Sequence, residues 1–196
     1  MIDQIKKGAT HFAAYVKKII DDFFKWLEDL FKSGKADDIF DNITGNGLYG
    51  GKVLSKAELD DWAKILLKKF GTKLKKVEKF DSPDILAQFD PNTNTILYKN
   101  DVTEYFMVHE HFHAEEMSKI GFDEYVKDAA LFGTKFPNEY TVENLLRSYK
   151  REKYVYEQIE KNAKRYNLNP FELRHNYLNL DIYQFHLEKR NVKIPK

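Results

Sequence analysis

The sequence predicts an α+β fold, mostly helical with a small antiparallel sheet, preceded by an N-terminal amphipathic helix. Two observations carry this reading. Apolar residues recur at spacings of three and four over most of the chain, and strict alternation is confined to two short runs around DPNTN. A glycine-rich stretch separates the first helix from the rest. The predicted units are therefore an N-terminal helical segment with its linker, 1–49, and a second domain, 50–196.

Residues 9–33 form the first predicted element. Phe12, Val16, Ile19, Ile20, Phe23, Leu27, Leu30 and Phe31 line one face, with Lys and Asp on the other. Such a face packs on a core or a partner helix more readily than on a membrane surface. The linker follows, with five glycines from Gly34 to Gly51. Ser55, with Glu58 three residues on, forms a capping box that opens a helix ending at Gly71. DILAQFD alternates Ile85, Ala87, Phe89, and NTILYK alternates Ile96 and Tyr98. With turn residues between, the two read as a hairpin. Helices then follow over roughly 101–120, 139–166 and 170–188. For the first, Asp101 is the expected cap, with Glu104 reaching back. Gly121 is its expected left-handed stop, with Phe122 as the hydrophobic contact beyond it.

Composition narrows the function classes. Lys+Arg number 32 against Asp+Glu 31, a net charge of +1, so nothing points to nucleic acid as a partner. The absence of cysteine removes thiolate catalysis and thiolate metal sites, so any metal must be held by His, Asp and Glu. No apolar run has the length of a membrane span, and the N-terminus lacks a signal-type apolar core.

The stretch VHEHFHAEEM holds three of the six histidines. At about 100° per residue, His109 and His113 project about 40° apart from one helix face. Two imidazoles so placed can close on one zinc ion. His111 lies roughly 200° from His109 and cannot join them. Glu110 is too far round to be a natural ligand but stands where the general base of a zinc hydrolase stands. The bland alternative is a pair of hydrogen-bonded core histidines, since both lie on the stripe Val102, Phe106, His109, His113, Met117, Ile120.

A catalytic zinc site takes a third protein ligand and leaves one position open. In the helix over 139–166 the apolar stripe runs Val142, Leu145, Tyr149, then Tyr156, Ile159, Ala163. Its missing member is Glu152. A carboxylate there is costly unless compensated, and zinc would compensate it. A salt bridge to Arg147 or Arg174 is the alternative explanation. Glu157 is the next candidate ligand, on a face rich in lysine. His175 and Glu139 are more remote, and Glu143 suits the helix start. Glu116 is the candidate to support a histidine's other nitrogen, with a solvated carboxylate as the alternative.

HEHFH after a strand, with a lone inward Glu on a later helix, resembles the zincin metallopeptidases whose third ligand is glutamate. FDPNTNTILYKNDVTEYFMVHEHFHAEEMSKIG, through to SYKREKYVYEQI, looks more narrowly like the metallopeptidase toxin domains of bacterial polymorphic toxins. The resemblance covers roughly residues 50–190. It implies zinc on His109, His113 and Glu152, Glu110 as base, and a sheet edge that holds a protein substrate. The strand near 94–99 is the expected pairing edge. It also implies an effector acting inside a competing cell, a cognate immunity protein, and an N-terminal segment that serves trafficking or a secretion adaptor. For the oxyanion the candidates are His175, Tyr154 and Tyr156. Two other readings compete with the peptidase: an inactive zincin-fold binding module, and a helical protein without metal.

Overall fold

The computed structural model describes residues 47–194, apart from 81, 83 and 130–136, together with Asp21, Lys25, Glu28, Asp29 and Lys32. The chain divides into two compact units, Met1–Asn42 and Ile43–Lys196. In the first, the helix expected over 9–33 lies outside the described residues except at those five positions, and so does most of the expected linker.

The second unit is α+β. Its elements are a 3-10 turn at Leu48–Gly50, α1 (Lys56–Phe70), β1 (Lys73–Lys76), β2 (Ala87–Asp90) and β3 (Thr95–Tyr98). Then come α2 (Glu104–Ile120), the short α3 (Phe122–Val126), a 3-10 turn at Pro137–Glu139, α4 (Val142–Asn162) and α5 (Pro170–Lys189). Local chemistry explains the ends. Ser55 and Glu58 form the capping box of α1, and Gly71 takes the left-handed conformation (φ 67°) that stops it. Thr141 with Asn144 caps α4, and Asn169 with Glu172 caps α5, where Pro170 is preorganised for the first turn.

The expected hairpin is present: β2 pairs antiparallel with β3, Phe89 opposite Ile96. The sheet is nonetheless mixed, in the order β1-β3-β2, because β1 adds parallel to β3. KLKK carries no apolar alternation that would mark it as a strand. Its pairing follows from the chain returning off the end of α1, where Thr72 is fixed to Asn94 by a 2.7 Å hydrogen bond. β3 is thus central, with a neighbour on each side. The expectation that 94–99 offers the free edge is corrected: β2 is the edge beside α2.

Two further details differ at α2. Thr103, not Asp101, is its N-cap, and no side chain caps it. Leu54 N–H and Glu104 N–H instead pair with Val102 and Lys52 carbonyls, so an incoming strand-like segment does the capping. Gly121 has φ 85° and ψ 158°, which turns the chain directly into α3, and Phe122 is exposed rather than packed.

α2 runs through the middle of the main core. It is buried on nearly every side from Tyr105 to Ala114 and again at Glu116 and Met117. α1, the sheet and α4 surround it through Trp62, Leu66, Phe89, Ile96, Val155 and Ile159. A smaller apolar cluster, Leu145, Tyr149, Leu180 and Leu187, joins α4 to α5.

The segment before α1 packs closely on the start of α5. A Cβ on Gly51 would lie 2.3 Å from Glu172 Oε1. Glu172 is buried, and its Oε2 accepts from Asn169 N–H at 2.8 Å. Burial pushes its carboxyl up to about 7, opposed by the Asn169 N–H and reinforced by Glu104. Folding therefore takes up a proton between pH about 4.5 and 7, and stability falls as pH rises through that window. Glu172→Gln removes this carboxyl's share of the slope. It is expected to match wild type near pH 4.5 and to exceed it by about 1–2 kcal/mol at pH 8. Urea midpoints at the two pH values check this; a gap independent of pH would contradict it.

Candidate metal centre

α2 and α4 bring together the three groups that could hold a cation. His109 and His113 lie one turn apart on α2, and Glu152 faces them from the middle of α4. His109 Nε2 and His113 Nε2 are 3.2 Å apart. Glu152 Oε2 is 3.5 Å from the first and Oε1 3.5 Å from the second. A tetrahedral centre with bonds of about 2.0–2.1 Å spaces its ligand atoms about 3.3 Å apart. The three side chains are therefore spaced for such an ion. Among the described residues this is the one His/Asp/Glu group with that convergence.

Electrostatics agree with the spacing. Burial favours the neutral form of both imidazoles. It takes His109 down to about 3, despite Glu152. In His113 the attraction of Glu152 outweighs burial and the pKa rises. Burial alone would raise Glu152, but His113, His109 and Arg151 hold it low. A half-buried carboxylate kept ionised between two buried imidazole nitrogens is a donor set matched to a divalent cation.

The other predicted residues fall as follows. Glu110 is buried on the next face of α2, and its Oε2 accepts from Phe89 N–H of β2 at 2.7 Å. Burial pushes its carboxyl up to about 7, partly opposed by His113 and by that N–H. His111 points away from the centre, against Trp62 and Phe70 at 5.3 and 5.2 Å between rings. Glu157, Glu139 and Glu143 are exposed. Arg147 does not pair with Glu152; it donates to the Tyr125 carbonyl at 3.0 and 2.8 Å and lies 3.9 Å from Glu116.

Glu116 does not reach a histidine nitrogen. The group on His113 Nδ1 is the Tyr125 hydroxyl, at 3.2 Å. Tyr125 comes from α3, and the Arg147 and Arg151 guanidinium groups lie 5.3 and 4.8 Å from its ring centre. Sequence reasoning missed it because α3 has no periodicity of its own. Among the oxyanion candidates, Tyr154 is engaged with Glu115 and Lys119, and Tyr156 packs on Tyr177. His175 of α5 reaches α2, where its Nδ1 lies 2.9 Å from the hydroxyl of Tyr105, one turn before His109. Tyr183 of α5 stacks on Tyr140 beside the smaller apolar cluster. Burial raises its phenol, and the Glu152 carboxylate raises it further.

No described helix is long and apolar enough to cross a membrane. Comparison with curated proteins returned no match, and comparison with solved structures returned none. A family model does match. It is described as metallopeptidase toxin 4, and it aligns with residues 49–184, which contain all three converging side chains and Glu110. On that match, which spans well over half of its length, the chain belongs to the metallopeptidase toxin 4 family.

Proposed function

We propose that the protein is a zinc-dependent peptidase of the HExxH type, with His109, His113 and Glu152 as metal ligands and Glu110 as general base. The observation that carries this reading is the ligand spacing of 3.2, 3.5 and 3.5 Å with Glu110 one residue away, inside the matched segment. When bound, zinc would supply Lewis acidity towards a scissile carbonyl and towards water.

The chain's own groups do the rest. Glu110 takes the proton of the attacking water and returns it to the leaving amine. A carboxyl held near 7 by burial suits both halves of that task. Its hydrogen bond to Phe89 N–H orients the carboxylate and ties it to the sheet. The outer edge of β2 is the binding edge in this reading. Lys99 N–H pairs with Leu86 carbonyl, so alternation turns the backbone groups of Ala87 and the Phe89 carbonyl outward, away from β3, while Phe89 N–H is held by Glu110. An extended peptide added there would lie beside Glu110.

Tyr125 is the support for His113. With Nε2 on a metal, Nδ1–H donates to the Tyr125 hydroxyl and fixes the ring. Tyr125→Phe is expected to weaken zinc binding by about 10–100-fold, read by competition with a chelator of known affinity. Unchanged affinity would show that packing alone orients His113.

The toxin class supports a role as an effector delivered into a competing bacterium, with a protein substrate and a cognate immunity protein in the producer. The N-terminal segment would then serve a secretion adaptor. The test of the reading is cleavage of dye-labelled casein and of target-cell extract by wild type with and without zinc, read by gel and mass spectrometry. Zinc-dependent fragments are expected; none in either substrate would overturn it.

A further inference from the structure

The sheet has a second outer edge, β1, on the side of β3 away from β2. Lys73 N–H donates to the Asn94 carbonyl at 2.9 Å, and Val77 N–H to the Tyr98 carbonyl at 2.8 Å. In a parallel pair such bonds come from alternate residues of the strand. The N–H and C=O groups of Leu74 and Lys76 therefore point away from β3. Among the described residues no chain pairs with that side. Lys73, Lys75 and Lys76 are exposed, and Leu74 is half-buried against the main core.

The edge is also strongly basic. Lys68, Lys69, Lys73, Lys75, Lys76 and Lys79 follow closely in the chain, with Glu78 as the one acid among them. All six lysines are exposed. On α1 just before them, Lys56 pairs with Asp60 at 2.7 Å and Lys64 with Asp61 at 2.8 Å. None of the six has such a partner among the described residues. Lysine on an open edge deters pairing with a second copy of the same edge. The same charges favour a strand of opposite sign, because charges across a strand pair stabilise when opposite and destabilise when alike. Lys73 and Lys75 lie on one face of the strand and Leu74 on the other. A matching strand alternates in the same way, acidic on one face and apolar on the other. Nucleic acid would meet the lysines but leave the outward backbone groups unpaired.

We propose that the outer edge of β1 is a docking site for an acidic, extended segment of a second protein, which adds to the sheet as a fourth strand. Its backbone pairs with Leu74 and Lys76, its carboxylates meet Lys73 and Lys75, and its apolar side chains continue the face on which Leu74 packs. The β2 edge, with Glu110, lies across β3, so this partner and a peptide on β2 do not compete.

The test uses the full chain and labelled peptides of alternating residues, Glu with Val and Lys with Val. A third probe is the Glu–Val peptide N-methylated at every backbone amide, which keeps the charge and removes strand pairing. Fluorescence anisotropy is expected to show binding of the first alone. The double variant Lys73→Glu, Lys75→Glu is expected to weaken that binding by about tenfold. Lys76→Pro removes one outward N–H at a position where an edge strand tolerates proline, and is expected to weaken it more than Lys76→Gln. Amide hydrogen exchange on wild type locates the contact without any variant. The Leu74 and Lys76 amides are expected to slow on binding the Glu–Val peptide, and the Ala87 amide to be unchanged. Equal binding of the N-methylated peptide, or slowing at Ala87 instead, overturns strand addition at β1. No binding of the Glu–Val peptide, equal binding of the Lys–Val peptide, or tighter binding of a single-stranded oligonucleotide overturns the acidic partner.

Discussion

A Glu110→Gln protein is expected to keep its metal and lose cleavage. Glutamine preserves the volume of the side chain, and its oxygen can still accept from Phe89 N–H, the hydrogen bond that anchors Glu110. What disappears is the group that takes a proton from water and gives it to the leaving amine. Loss of a positioned acid–base group typically removes about 10²–10⁴ of rate. The fold should tolerate the change, since the carboxyl is buried and its ionised form is disfavoured there. Zinc content, thermal stability and peptide cleavage measured on one preparation would check all three points. A variant that still cleaves removes Glu110 from the mechanism. A variant that no longer cleaves but remains toxic favours the other reading, a binding module built on this fold.

Glu152→Ala is expected to empty the site. His109 and His113 alone would leave two neutral imidazoles in a buried space, with no negative charge to offset that of a dication. Wild type should carry about one zinc per chain, as a three-ligand site predicts, and Glu152→Ala close to none. Glu157→Ala, one and a half turns along the same helix and exposed, should be indistinguishable from wild type. Metal analysis of the three proteins purified in parallel, without added metal, gives the answer directly. Wild type that holds none and resists zinc titration returns His109 and His113 to the status of core residues. Loss in Glu157→Ala instead would mean that α4 presents a different face when loaded.

Much of this site was legible in the chain because helical phase is a local property. The 40° between His109 and His113 follows from their spacing, and so does the seclusion of His111, which packs on Trp62 and Phe70 on the other side of α2. Glu152 could be singled out because it interrupts an apolar stripe, and a stripe is readable without knowing what it faces. The same holds for the capping boxes at Ser55, Thr141 and Asn169, where both partners lie within three residues. Phase also misled where it was the only guide. The α2 stripe was extended to Ile120, which is exposed, while the helix is buried almost all round upstream of it.

What only the tertiary structure decided depends on contacts between residues far apart in the chain. β1 became a strand by pairing with β3 rather than by its own pattern, and that pairing moved the free edge from β3 to β2. Tyr125 rather than Glu116 meets His113 because α3 folds back under two arginines of α4. His175 stands 70 residues from the Tyr105 hydroxyl that it meets. A sequence states which side chains share a face of one helix; which faces meet, and so which lone pairs and protons are matched across them, is set by packing the core as a whole.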